Sequence, residues 1–197
     1  TVEERIVDEN KLNFNFNMQD SKKYYVERIN IFGNFQTLEE VIRNNLLVDE
    51  GDPLNNVLYN KSIDKIRGTG FFEDVDSEVI DGSDPNLKVI NITVEEQPTG
   101  EISMGAGYGT SGSTIGAGIV EKNFLGRGIN LNTNFELSEE SLKGQFIFSK
   151  PNFNYSENTL RTSLRAITTD NLDDFGYKES ETGFSLGTTF QQYENLF

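Results

Sequence analysis

Between Gly100 and Gly128 the chain alternates. Ile102, Met104, Ala106 and Tyr108 stand between Ser103, Gly105, Gly107 and Gly109, and after a turn Ile115, Ala117 and Ile119 continue the pattern. A period of two sends successive side chains to opposite faces, so this is strand writing with one apolar face and one face of glycine and hydroxyl. Such a sheet suits a water-soluble sandwich or a membrane barrel, and the surrounding sequence has to decide between them.

Alternation returns downstream four more times. Leu131, Thr133, Phe135 and Leu137 face away from Asn130, Asn132, Asn134 and Glu136, and Leu142, Gly144, Phe146 and Phe148 away from Lys143, Gln145 and Ser149. Leu160, Thr162, Leu164 and Ala166 alternate with Arg161, Ser163 and Arg165, and Phe184, Leu186, Thr188 and Phe190 with Ser185, Gly187, Thr189 and Gln191. The pattern predicts about six antiparallel strands of about ten residues, with compact connections at 123–127 and 150–154 and a longer acidic loop at 169–177. Short turns at one end and longer loops at the other describe a transmembrane β-barrel, apolar side to lipid and polar side to a wet lumen. Barrels of this kind start at about eight strands, so the chain reads as a piece of a longer protein, stopping at Asn195-Leu196-Phe197 without a closing strand.

Upstream the writing changes. Leu12, Phe14, Phe16 and Met18 predict a single strand with no partner before it. Tyr24 to Phe32 reads as a strand ended by Gly33-Asn34. Thr37 with Glu40 three residues on reads as a capping box for a helix whose stripe is Leu38, Val41, Ile42 and Leu46, stopped by Glu50-Gly51-Asp52-Pro53. Asn55 is placed to cap a second helix carrying Val57, Leu58, Ile63 and Ile66 and ended by Gly68 and Gly70. Strands at 71–80 and 87–94 follow, joined by a turn at 81–86. The order β-α-α-β-β describes a small α+β domain with one sheet covered by two helices.

Composition removes whole classes of chemistry. The 197 residues contain no Cys, His or Trp, which eliminates disulfides, thiolate nucleophiles and the commonest general base and metal ligand. No catalytic residue, metal site or cofactor is expected. A formal net charge of -15 argues against nucleic acid, whose phosphates require surplus Lys and Arg. No run approaches the roughly 18 apolar residues of a membrane helix, which leaves barrel strands untouched.

Two local patterns have plainer explanations than the ligands they suggest. Residues 107–112 spell G-x-G-x-x-G, but a dinucleotide site needs a helix after the glycines and here a strand follows. Asp170, Asp173 and Asp174 carry calcium-type oxygens, yet read as an exposed acidic loop. The acidic pairs Glu95-Glu96 and Glu139-Glu140 fall at strand ends and read as solvated.

The block Val94-Glu95-Glu96-Gln97-Pro98-Thr99-Gly100, the glycines and tyrosine at 105, 107, 108 and 109, and Asn123-Phe124-Leu125-Gly126-Arg127-Gly128 together resemble the BamA family of bacterial outer membranes. Tyr25-Val26, Ile29, Ile31, Gly33-Asn34 and then Gly70-Phe71-Phe72 with Val75 resemble a polypeptide-transport-associated (POTRA) repeat. The matches fall in order over nearly the whole chain. The resemblance implies that residues 1–20 end one POTRA repeat, 24–97 form the last one, and 100–197 open the barrel.

It further implies a non-enzymatic role in folding and inserting outer-membrane proteins, in the outer membrane with the POTRA part in the periplasm. The expected partners are outer-membrane protein substrates, accessory lipoproteins and the lipid bilayer. The first barrel strand, matched by Glu101, Ile102, Ser103, Met104, Gly105, Ala106, Gly107, Tyr108 and Gly109, is then the weakly sealed edge that parts and templates incoming strands. Its glycines lower the packing that would hold it, or else relieve crowding in the lumen. Arg43 and Glu50 match positions that dock a lipoprotein, whereas Leu47 stands where a second basic residue is often found. Two other readings stay open: a POTRA-barrel transporter conducting an exoprotein, and a soluble acidic β-rich binding or adhesion module.

Overall fold

The computed structural model describes residues 2–8, 11–16, 22–109, 112–156 and 158–190. Val2–Asp8 (β1) and Lys11–Phe16 (β2) form an antiparallel hairpin, so the strand expected to stand alone has a preceding partner. The alternation read at 12–16 is half of that pair. Val2 to Asp8, with Glu3, Glu4 and Arg5 in succession, hides its own strand character behind charge. Met18 lies outside the described residues.

The α+β unit follows the expected order. Tyr25–Phe32 (β3), Glu39–Arg43 (α1), Asn56–Gly68 (α2), Phe72–Asp81 (β4) and Leu87–Glu96 (β5) build a three-stranded sheet of order β3-β5-β4, with β3 parallel and β4 antiparallel to the central β5. The helices lie between β3 and β4 in sequence, as a parallel crossover requires. Val26, Ile29, Ile90 and Ile92 from the sheet meet Ile42, Ile63 and Ile66 from the helices, each at most 4% exposed. Burial of each such side chain contributes roughly 1.5–3 kcal/mol. Buried Ser62 satisfies its hydroxyl locally, accepting from the Leu47 N–H and donating to the Leu58 carbonyl, both at 2.8 Å.

Asn55 caps α2 as expected, its side chain accepting from the N–H groups of Val57 and Leu58. The expected Thr37–Glu40 box does not form. The first helix begins at Glu39 behind Leu38, with no side-chain cap. Thr37 is committed elsewhere: its hydroxyl accepts from Asn123 and its N–H donates to Glu96. The apolar stripes are also narrower than the spacing suggests, since Leu38, Val57 and Leu58 are exposed and only Val41, Ile42, Ile63 and Ile66 are buried.

From residue 100 the chain is strand after strand: Gly100–Gly109 (β6), Gly112–Glu121 (β7), Asn130–Ser138 (β8), Ser141–Lys150 (β9), Thr159–Asn171 (β10) and Tyr177–Thr189 (β11). They form one antiparallel meander of six. The turns at Phe124–Gly126 and Phe153–Tyr155 are single 3-10 turns, as compact as expected. The acidic stretch differs from expectation. β10 runs on to Asn171, and a one-turn helix, Leu172–Phe175 (α3), closes the hairpin. Strand pairing claims these residues because Asp170 meets Lys178 directly across the ladder at 2.7 Å. Among the described residues no group of acidic side chains is arranged to hold a metal.

Register sorts the faces. Residues directly opposite in an antiparallel ladder share a face. One face carries the row Ile102, Ile119, Thr133, Phe146, Leu164 and Phe184. The other carries the row Ser103, Gly118, Asn134, Gln145, Arg165 and Gly183. Ile102, Met104, Phe135, Leu164 and Phe184 are each about half exposed or more, so the apolar face is bare along the sheet. The polar face carries its own ion pairs, Lys143 with Glu136 and Arg165 with Glu181.

Candidate functional site: a strand edge and its anchorage

β6 stands at the end of the six-stranded sheet and, among the described residues, pairs only with β7. All ten of its residues are exposed. A Cβ added at Gly105, Gly107 or Gly109 would meet nothing within 4 Å, so no contact along this stretch of strand requires glycine. Each glycine instead gives up side-chain packing and adds conformational entropy to the unpaired state, at a cost of roughly 0.5–1 kcal/mol relative to Ala. Glu101 to Gly109 therefore forms a strand held mainly by one ladder of backbone hydrogen bonds, with its second row of N–H and C=O groups directed outward.

The start of this strand is fixed by contrast. Gln97 binds the α+β unit through its N–H to the Phe71 carbonyl at 3.1 Å and through its side-chain amide to the Gly70 and Phe72 carbonyls at 3.2 and 3.1 Å. The Thr99 hydroxyl bonds Glu121 at the end of β7, and the same Glu121 oxygen accepts the Asn123 N–H at 2.7 Å. Gly126, at φ +68, presses its backbone against the loop before α1, and a Cβ there would stand 1.8 Å from the Gln36 carbonyl oxygen. Its own carbonyl accepts the Leu38 N–H at 2.8 Å.

Glu96 organises the facing loop. Its carboxylate accepts from the N–H groups of Phe35 at 3.1 Å, Gln36 at 2.9 Å and Thr37 at 2.6 Å. Burial opposes the charge, but the Thr37 hydroxyl and these N–H groups together hold the carboxyl below its ordinary value. By sequence Glu96 is one of the solvated strand-end acids, and only the folded loop reveals its partners.

Arg43 and Glu50 are brought together on the outer edge of β3. Glu50 Oε1 accepts the Ile29 N–H at 3.0 Å, Arg43 Nη2 donates to the Ile29 carbonyl at 2.9 Å, and the two side chains approach to 3.6 Å. Arg43 also pairs with Glu39 at 2.7 Å. Both side chains stay more than a third exposed, within reach of a partner. Leu47 is exposed on the same unit.

Comparison with known proteins agrees with this architecture. The POTRA family model, described as surface antigen variable number repeat, matches residues 24–97. The outer membrane protein assembly factor BamA of Neisseria meningitidis serogroup B is 26% identical over 144 residues, which is 72% of this chain and 18% of that protein. The crystal structure of BamA from Haemophilus ducreyi lacking POTRA domains 1-3 superposes with a TM-score of 0.77 at 26% identity, over 99% of this chain and 38% of that one. CdiB from Escherichia coli, at a TM-score of 0.56 and 16% identity over 85% of this chain and 33% of that one, shares the fold. The chain thus spans under a fifth of the curated relative and under two fifths of the solved structures.

Proposed function

We propose, for a chain that belongs to the BamA family and joins a POTRA domain to antiparallel strands of an outer-membrane barrel, that it serves the assembly of outer-membrane proteins through the edge of β6. The outer membrane is its location, with the POTRA part in the periplasm. An arriving substrate strand adds to the outward row of backbone groups along Glu101 to Gly109 by β-augmentation. The observation that carries this reading is the contrast within one strand: an origin tied down at Gln97 and Thr99, and a glycine-rich body held by one ladder. Such a strand can part along its length and stay in place.

The role is non-enzymatic. It needs main-chain hydrogen bonding and the bare apolar face in contact with the bilayer. Arg43 and Glu50 are assigned to docking of an accessory lipoprotein, supported by their joint exposure beside β3. The reading as an exoprotein-conducting transporter draws only on a fold likeness to CdiB. An unfolded chain crossing the lumen would have no use for a weakly packed β6.

Single cysteines placed along Ile102 to Tyr108 in the full-length protein, paired with one cysteine in the closing strand or in an arriving substrate, test the proposal. Substrate crosslinks that compete with seam crosslinks are expected. Unimpaired assembly with the seam covalently locked would overturn it.

A further inference from the structure

A cleft of about 420 Å³ lies where the POTRA domain meets the ends of β8 and β9. Arg127 and Lys150 line it together with Asn44, Asn130 and Asn152, and Glu40 stands on the α1 side. Three sheet cations elsewhere, Lys143, Arg165 and Lys178, have carboxylate partners. Among the described residues neither Arg127 nor Lys150 has a carboxylate oxygen within 4.0 Å. In a chain with a net charge of -15, two cations with no carboxylate partner among the described residues, lining one cleft with several asparagines and a single acid, Glu40, make a local excess of positive charge.

Their place on the sheet says what they face. Phe148 pairs with Leu131 and Thr162 on the apolar face, and Lys150, two residues on and opposite Leu160, lies on that same face at its last position. The apolar side chains end there, and exposed Phe153 and Leu125 follow in the two turns. An aliphatic stem on the apolar side with an ammonium at its limit, flanked by exposed apolar turn residues, marks the depth at which a bilayer passes from acyl chain to phosphate. Arg127 adds a planar guanidinium able to take two phosphate oxygens at once.

We infer that this cleft binds the phosphate of a phospholipid in the periplasmic leaflet, with Arg127 and Lys150 as charge partners and the amides of Asn44 and Asn152 as donors to the remaining oxygens. The inference rests on the reading of β6 to β11 as membrane-spanning strands. Bound lipid would bridge the POTRA domain and the barrel wall, since Asn44 belongs to the first and Lys150 to the second.

Native mass spectrometry of the full-length protein in maltoside micelles, titrated with phosphatidylglycerol, tests this. The Arg127→Gln, Lys150→Gln double variant is expected to weaken the first binding event at least ten-fold, at roughly five-fold per charge. Arg161→Gln, on the polar face beside Ser149 and outside the cleft, should leave it unchanged. Inorganic phosphate at the same concentration should neither bind nor compete. The exchange Arg127→Lys with Lys150→Arg keeps both charges and should keep binding, which separates charge from folding.

Equal binding in the double variant would overturn the proposal, and full competition by inorganic phosphate would replace the lipid with a free anion. Carbonate-resistant association with liposomes reports the membrane reading separately. Wild type and double variant should associate alike, and a wild type that washes off would remove the premise and the lipid site with it.

Discussion

Asn123 and Thr37, 86 residues apart, meet in a buried hydrogen bond: Asn123 Nδ2 donates to Thr37 Oγ1 at 2.9 Å. The same amide accepts the Gly128 N–H through Oδ1 at 2.7 Å. One side chain therefore ties the loop before α1 to the turn between β7 and β8 and shapes that turn internally. Because the site is buried, water cannot readily replace either bond. Asn123→Ala should cost about 1–3 kcal/mol and broaden the relative orientation of the POTRA domain and the sheet. Paired spin labels, one on α2 and one on β8 of the full-length protein, would show a widened distance distribution; an unchanged one would reduce Asn123 to a turn-forming residue.

At Gly126 the same joint has no room. The residue holds φ +68, where side chains are disfavoured, and an added Cβ would collide with a backbone oxygen that no rotamer change can move. Gly126→Ala should separate the loop from the turn and destabilise the junction by more than about 2 kcal/mol. Gly144→Ala, where a Cβ meets nothing within 4 Å, serves as the neutral comparison in chemical denaturation.

Glu96 makes the joint pH-dependent. Its carboxyl is held below the ordinary 4.5 in the folded protein, so the native state binds fewer protons than the unfolded chain as pH falls. The stabilisation is complete above pH 4.5 and is lost as pH drops through the lowered native value. The stability difference between wild type and Glu96→Gln should be constant from about pH 6 to 7 and shrink progressively below about pH 5. A difference that stays flat down to about pH 3 would mean that the carboxylate charge contributes nothing there.

On the edge of β3, Arg43 and Glu50 occupy the backbone groups of Ile29 that another strand would otherwise use. Their exposure keeps the energy modest, and Arg43→Met, which retains the stem, should cost about 1 kcal/mol. The more sensitive readout is hydrogen exchange at the Ile29 amide, which Glu50→Gln should also accelerate. No change in either variant would leave the two residues with the proposed docking role alone.

How much of this was written in the sequence depends on the range of the interaction. Period-two alternation in β6 to β11 and the Asn55 cap depend on neighbours a few residues away, and both could be read directly. The N-terminus of α1 could not, because Thr37 is engaged by Asn123 and Glu96, residues 86 and 59 positions later. The Asp170 stretch reads as loop because its acidity is visible in the local sequence and the Lys178 opposite it is not. Arg127 is legible in sequence only as part of the 123–128 block and Lys150 only as the start of a turn, since nothing in sequence brings 127 and 150 to one cleft.

The glycines of β6 give the sharpest test of the edge. Gly105 and Gly107 lie on the polar face, opposite Gly116 and Thr114, with open space where a Cβ would stand. Threonine fits a polar-facing strand position, and each replacement should stabilise the paired strand by roughly 0.5–1 kcal/mol without a clash. Gly105→Thr with Gly107→Thr therefore tightens the seam and leaves the anchorage at Gln97 and Thr99 untouched. In the full-length protein carrying Met104→Cys, seam crosslinks should rise several-fold and substrate crosslinks fall, with slower assembly of substrate barrels in proteoliposomes. If assembly keeps its rate while the seam crosslinks more strongly, opening of β6 is not what limits it, and the glycines serve the sheet's shape.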